Sequence, residues 1–589
     1  ISPLIFSIMK YLQGLRWIIL FAVQWVVYAK LFNYLFIYIE QTHLFLFSSS
    51  YAGQLLWQPG GVCKYIAEFL TQFYLFPYIG AGITALLLTI VLYLTRKVLS
   101  RISRAGTSCL LYAAPALALM VLHFDFNYYI QGTIAYIGML SCLSLYGNVS
   151  EKKRLFTAPL CVLILFFTAG SVALLFTAAS LLYDLSLKRM KPLPTLLTVC
   201  LACSVCLLSV YFSWTPDWAS TLSPKQYFTP ALDVNKIYYP WIALLLVMAI
   251  AFLLRKQGDK GKNPIAWVCI QWCVVGIALY GCVEKYGELR SMSYKKMDYY
   301  TRTCNWERVM DSFDGADLSV QRMVMANLAM AEQGALTDKL FDFPQKGITS
   351  LMPVWDRTVY SASLLSDIYY TMGLVSVSQK FAFEALDATP LSRNPRSLKR
   401  LIETNIITGA YPVAEKYINI LEQTLYYKQW ANAYRAYLYN DRAVSQDATL
   451  SLKRQCWEAE QSLPEPYSDP VSALLHILPI VPQNSVGMAY LSSFILLNKD
   501  MENFQLMRDR LYNTPAWRSL SVYQQEAIVI SNPNNPQMWL QNGVSVKVHN
   551  RAIDFMNAVR SHSGRKDVAQ AMAAGYANTY WYYFMFVNE

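Results

Sequence analysis

Signatures of soluble enzymes are missing from this chain of 589 residues. There is no glycine-rich phosphate loop, no His-Glu-x-x-His pair and no nucleophile elbow, and Gly60-Gly61 alone does not make one. Charge is scarce: 15% of residues are Asp, Glu, Lys or Arg, against 55% hydrophobic. The 12 cysteines lie mostly inside apolar blocks, and only Cys304 and Cys456 fall clearly in the polar second half. Cys200, Cys203 and Cys206 lie along one apolar span with no His or carboxylate beside them, so they read as small packing residues. Beyond Glu284 the long apolar blocks stop. The chain begins at Ile1, so further N-terminal sequence is expected, and no cleavable signal peptide is evident.

What is present divides the chain in two. Through about Cys282 the sequence runs in apolar blocks near the ~20 residues needed to cross a hydrocarbon core. The net charge of +12 is spread in short basic clusters between these blocks, which is a topology signal and argues against nucleic-acid binding. The expected fold is all-α: a polytopic transmembrane helical bundle over 1–284, then a soluble TPR-like α-solenoid over 285–589.

Residues 2–16 suit an interfacial or partly inserted segment. The first span is 17–39, with Lys30 near its middle expected to make a contact in the bundle interior. Residues 62–76 read as an amphipathic helix feeding a second span at 75–94. Spans at 109–122 and 130–146 flank a polar break at 123–129. The stretch 155–185 is too long for one span, and its centre, Thr168-Ala169-Gly170-Ser171, marks a broken or re-entrant helix pair. Further spans are expected at 196–212, 241–254 and 266–282, with an aromatic loop at 214–239. Arg96, Lys97, Arg101 and Arg104, then Lys152, Lys153 and Arg154, then Lys188, Arg189 and Lys191, then Arg255, Lys256, Lys260 and Lys262 form the basic clusters. The positive-inside rule puts these in the cytoplasm. Glu40, Asp125 and everything after Glu284 then lie outside it, which in a bacterium means an inner-membrane protein with a periplasmic C-terminal half.

In the polar half, Leu364 to Gly373 followed by Val375, Ser378, Ala385, Leu386 and Pro390 has the spacing of a tetratricopeptide (TPR) repeat. Leu401, Gly409, Tyr411, Ala414 and Leu421 repeat it about 36 positions on, against about 34 for that repeat. Weaker candidates surround Gly334 and 488–511. Such pairs leave apolar faces that their neighbours cover, and their groove binds peptides or partner helices. The aromatic tail at 576–586 is expected either to cap the solenoid or to dock on the membrane surface.

The polar residues gathered at outward span ends are the candidates for chemistry: Glu40 and His43 after span one, Glu68 and Gln72 before span two, and His123, Asp125, Asn127 and Gln131 between spans three and four. In this layout the chain resembles the GT-C class of membrane glycosyltransferases. Those enzymes carry an acid in the first outward loop, matched here by Glu40, and often a second in the next, matched by Asp125. Where the class often has two adjacent acids, this chain has Glu40-Gln41. One subgroup, the transmembrane O-mannosyltransferases, ends in TPR repeats. The chain also resembles uncharacterised bacterial envelope proteins that pair such spans with a helical tail.

The resemblance implies transfer of a sugar from a polyprenyl-linked donor to a periplasmic protein or glycan acceptor. Glu40 is then the base or acceptor-positioning group, and Asp125 with His123 holds a divalent cation (Mg or Mn) or the donor. His43, Glu68, Asn127 and Gln131 become substrate-binding, and Lys225, Lys236, Lys285 and Arg290 neutralise a lipid phosphate. Residue by residue, the alternative is a solvated loop group for the carboxylates and an interfacial anchor for the cations. A rival of another class is a non-catalytic membrane-anchored scaffold whose solenoid assembles an envelope complex.

Overall fold

The computed structural model describes residues 3–187, 191–229, 232, 234–256, 264–313, 315, 317–389, 392–463, 469–562 and 568–587. Lys188, Arg189, Lys260, Lys262 and Pro390 lie outside the described residues. Among those described there are helices and two isolated β-bridges, with no strand, so the chain is all-α. It divides into two compact units, Ile1–Met292 and Ser293–Glu589.

The first unit contains α1 (Pro3–Leu31), α2 (Asn33–Glu40), α3 (Ser49–Leu56), α4 (Gly61–Thr71), α5 (Ile79–Ile102), α6 (Cys109–His123), α7 (Gln131–Tyr146), α8 (Glu151–Ala169), α9 (Val172–Ser186), α10 (Pro192–Tyr211), α11 (Trp218–Leu222), α12 (Tyr239–Leu253) and α13 (Pro264–Tyr286). Among the described residues, five helical segments are long and apolar enough to cross a membrane: Gly14–Leu31, Ile79–Ile102, Pro192–Tyr211, Asn235–Leu253 and Trp267–Tyr286. Two corrections concern α1. From Pro3 the expected interfacial segment is continuous with the first span in one helix, and that helix ends at Leu31, so α2 is a separate element. Lys30 is exposed on the last turn of α1 and does not face the bundle interior.

The break at 168–171 is present, and it makes a hairpin of the two helices α8 and α9. Arg154 near the start of α8 pairs with Asp184 near the end of α9 at 3.0 Å, so both helices run between the same two ends of the bundle. At 19 residues α8 is about 28 Å long, close to a hydrocarbon core of about 30 Å. Gly170 makes the turn with φ of 88°, and a Cβ there would sit 2.1 Å from Gln226 Nε2. Only glycine satisfies both conditions.

Basic residues at the Arg154 end close helix C-termini. Arg101 donates to Ser144 O on α7 at 2.5 Å and to Asn148 Oδ1 at 2.8 Å, and Arg255 donates to Ser186 O on α9. A cation satisfies orphan carbonyls there and complements the helix dipole. The clusters read as a topology signal are therefore also structural caps.

The second unit contains α14 (Leu289–Arg302, most of it in this unit), α15 (Trp306–Asp311), α16 (Val320–Glu332), α17 (Leu336–Lys339), α18 (Val359–Met372), α19 (Val375–Asp387), α20 (Pro395–Ile407), α21 (Tyr411–Glu422), α22 (Lys428–Arg435), α23 (Asp441–Gln446), α24 (Ala448–Glu460), α25 (Pro470–Ile477), α26 (Ser485–Leu497), α27 (Met501–Leu511), α28 (Val522–Ser531), α29 (Pro536–Gln541), α30 (Val546–Ser561), α31 (Val568–Tyr576) and α32 (Tyr580–Phe586). The pairs α18/α19 and α20/α21 are the two hairpins expected from the repeat spacing, with Gly373 at φ 96° in the first turn.

These hairpins do not stack on sequence neighbours alone, as units of a solenoid would. The helix α24 crosses both, and Asn484, just before α26, donates to Met372 O from 112 positions away at 2.8 Å. From Gly487 to Leu497 every residue of α26 is buried, which explains how so apolar a helix sits outside the first unit. The tail helix α32 packs into its own unit: Tyr580 and Tyr583 meet Phe341, and Tyr583 donates to Leu497 O at 2.9 Å.

Candidate functional site

At the bundle end opposite Arg154, four interruptions of the helices are tied together by hydrogen bonds. Gly60 N donates to Phe167 O at 3.0 Å, and Gln131 Nε2 donates to Gly60 O at 3.3 Å. Tyr129 N donates to Tyr227 O and Thr229 N to Asn127 O, each at 3.0 Å, around the bridge between Tyr128 and Phe228. Tyr227 O–H donates to Ala169 O at 2.6 Å, and its oxygen accepts the Val172 N–H at 3.3 Å, so one phenol closes both helix ends at the Gly170 turn. Sequence reasoning passed over Tyr227, Gln226 and Thr229. Their only signal was the density of aromatic and amide residues in a polar loop.

Glu40 ends α2, with 2% of its surface exposed, and its backbone carbonyl accepts the His43 N–H at 3.0 Å. The His43 Nδ1 lies 3.1 Å from Glu68 Oε2 and 3.2 Å from Oε1, and the imidazole meets the Tyr129 ring edge-on at 5.5 Å. Asp125 Oδ2 accepts from Lys236 Nζ at 2.5 Å, and Oδ1 accepts both the backbone and side-chain amides of Asn127 at 2.9 Å. Tyr129 links these two pairs, because it belongs to the same 123–129 turn as Asp125.

His123 is buried away from them. Its Nε2 lies 2.8 Å from Thr133 Oγ1, which is 3.1 Å from Tyr128 Oη, and the rings of Tyr28 and Tyr128 stand edge-on to it. Lys225 is half-buried in the same loop as Tyr227. Lys285 and Arg290 are exposed, and the Lys285 ammonium lies 5.3 Å from the centre of the Tyr286 ring. Neither hydrogen-bonds to Glu40, His43, Glu68 or Asp125. A cavity of about 10 Å³, room for one water, lies between Tyr128, Gly132, Tyr136, Tyr227 and Pro240. Trp57, Tyr211, Phe212, Trp214 and Trp218 are exposed around this end, as suits a membrane–water interface.

A family model described as "Family of unknown function (DUF6057)" matches residues 8–587. The chain belongs to that family. No curated protein and no solved structure matches it.

The side chains of this DUF6057 chain do not suit the divalent cation expected at Asp125 and His123. Among the described residues no three His, Cys, Asp or Glu side chains gather as metal ligands. A hard cation needs free carboxylate oxygens. Those of Asp125 are taken by an ammonium and two amide N–H groups, and the His123 Nε2 is engaged by a threonine. The positive charge facing Asp125 in this DUF6057 chain is Lys236.

Proposed function

We propose that this chain is a membrane glycosyltransferase that moves a sugar from a polyprenyl-linked donor to a protein or glycan acceptor. The observation carrying the reading is that Glu40, the His43–Glu68 pair and the Asp125–Lys236 pair gather at the basic-poor end of the bundle, with the Tyr129 ring against His43 joining the 123–129 turn of Asp125 to the first two. That is where a lipid phosphate at the outer membrane surface would lie.

In this reading the bond between the sugar's anomeric carbon and the donor phosphate breaks, and the acceptor oxygen takes the phosphate's place. Lys236, held by Asp125, and Lys225 neutralise the departing phosphate. Glu40 orients the acceptor hydroxyl. The second unit presents its helical hairpins, TPR-like in pairing, to the acceptor, in the periplasm of a bacterial inner-membrane protein. The test is mass spectrometry of lipids that co-purify with wild type, Glu40→Gln and Lys236→Met. The reading expects a polyprenyl phosphate species in wild type that is depleted in at least one variant, whereas bulk phospholipid in all three refutes it.

One observation favours a second reading. Both oxygens of Asp125 are committed within the fold, as in a structural turn, which suits a non-catalytic anchor whose helical unit assembles an envelope complex. A stoichiometric co-purifying protein without polyprenyl lipid would support it.

A further inference from the structure

We infer that His43 and Glu68 form the proton-accepting dyad of the transfer step, with His43 Nε2 as general base and Glu68 as its positioning residue. This rests on the reading above and names the base within it.

A carboxylate can hold an imidazole nitrogen at 3.1 and 3.2 Å only if that nitrogen carries the hydrogen, so Glu68 fixes the proton on Nδ1. In the neutral ring the lone pair then sits on Nε2. The carboxylate also stabilises the imidazolium that forms when Nε2 takes a proton. Each side chain keeps 12% of its surface open, enough for contact with a substrate hydroxyl while most of the pair is shielded.

The other candidates are less available. The oxygens of Asp125 are occupied by Lys236 and Asn127, His123 Nε2 is bonded inside the bundle, and Glu40 is almost wholly buried. Glu68 from α4 and Tyr129 from the 123–129 turn stand against the His43 ring, and the His43 N–H is held by the backbone carbonyl of Glu40 at the end of α2. In the step, the acceptor O–H gives its proton to Nε2 and its oxygen forms the bond to the anomeric carbon. The bond from that carbon to the donor phosphate oxygen breaks, and the polyprenyl phosphate leaves with the electron pair.

The test compares full-length wild type, His43→Gln and Glu68→Gln, purified from the same membranes. Lipids bound to each are identified by mass spectrometry, and release of polyprenyl phosphate from the co-purified donor, with water as the acceptor hydroxyl, is followed from about pH 5 to 9. The expected result is free polyprenyl phosphate on wild type and intact polyprenyl-phosphate sugar retained on His43→Gln, with release slowed roughly 100- to 10,000-fold. Retained donor also demonstrates that the variant is folded. Glu68→Gln keeps a hydrogen-bond acceptor but loses the charge that stabilises the imidazolium, so it should retain the donor and release polyprenyl phosphate more slowly than wild type. Equal release by all three proteins overturns the dyad and leaves the glycosyl-transfer reading standing. Absence of any polyprenyl lipid from wild type removes both.

Discussion

Lys453 Nζ donates to the backbone carbonyl of Thr371, 82 positions earlier, at 2.8 Å. Thr371 lies in the last turn of α18, where carbonyls lack helical partners. Seven residues on, at the end of the same α24, Glu460 accepts the N–H of Ser376 in the first turn of α19 at 3.0 Å. A cation on a C-terminus and a carboxyl on an N-terminus both agree with the helix dipoles, so α24 grips the two sides of the Gly373 turn.

Stability of the second unit should depend on pH through these groups. Burial pushes Glu460 up to about 7 and Glu526 up to about 8, and lowers Lys453 to about 8. Between 4.5 and these raised values the folded carboxyls bind more protons than the unfolded ones, so stability falls as pH rises. Between about 8 and 10.5 folded Lys453 binds fewer protons than the unfolded chain, so stability recovers. Thermal unfolding of the full chain in detergent should show its minimum near pH 8. Glu460→Gln should flatten the acid side and Lys453→Met the alkaline side; unchanged profiles in both would disprove the linkage.

Arg454 does the same service for the second hairpin. It donates to Ile407 O at 2.9 Å and Ile406 O at 2.8 Å at the end of α20, and to Asp441 and Tyr411. Arg454→Ala is expected to cost about 2–3 kcal/mol. Arg454→Lys should restore less than half, because a single ammonium cannot reproduce the guanidinium fork. Denaturant unfolding together with amide exchange around Gly409 measures both.

In the first unit, Arg154 and Asp184 form a buried pair joined by the Tyr146 O–H, which donates to Asp184 Oδ2 at 2.6 Å. Arg154→Met or Asp184→Leu alone should cost about 3–5 kcal/mol by leaving one charge uncompensated. The double variant should recover most of that loss. A double-mutant cycle on melting in detergent reads the coupling, and simple additivity would count against the pair.

Cys304 reports on topology. It is exposed in the second unit, Cys456 is buried, and the exposed Cys200, Cys203, Cys269 and Cys273 lie on the apolar helices α10 and α13. A charged, membrane-impermeant maleimide applied to intact spheroplasts should label the protein, and Cys304→Ser should abolish labelling. Labelling that appears only after lysis would put the second unit in the cytoplasm.

Much of the helix layout was legible because membrane spans are set by local composition. The break at 123–129 and the Gly170 turn follow from polar and small residues interrupting apolar runs. Candidate acids were legible as types and places, but their partners were not. Lys236 reaches Asp125 across 111 positions, and no periodicity links them. His43 and Glu68 were both marked as polar loop-side residues, and only the fold makes them a pair.

By itself, then, the sequence determined where the apolar runs are interrupted, which half is apolar enough for a membrane, and which end of the bundle carries the cations. Each of these depends on residues within one or two helical turns. Tertiary structure alone decided that basic residues cap distant helix ends, that α24 fastens the two hairpins, and that His43 meets Glu68. Those contacts join groups brought together by chain reversal, and hydrogen-bond distances of about 3 Å leave no trace in local pattern.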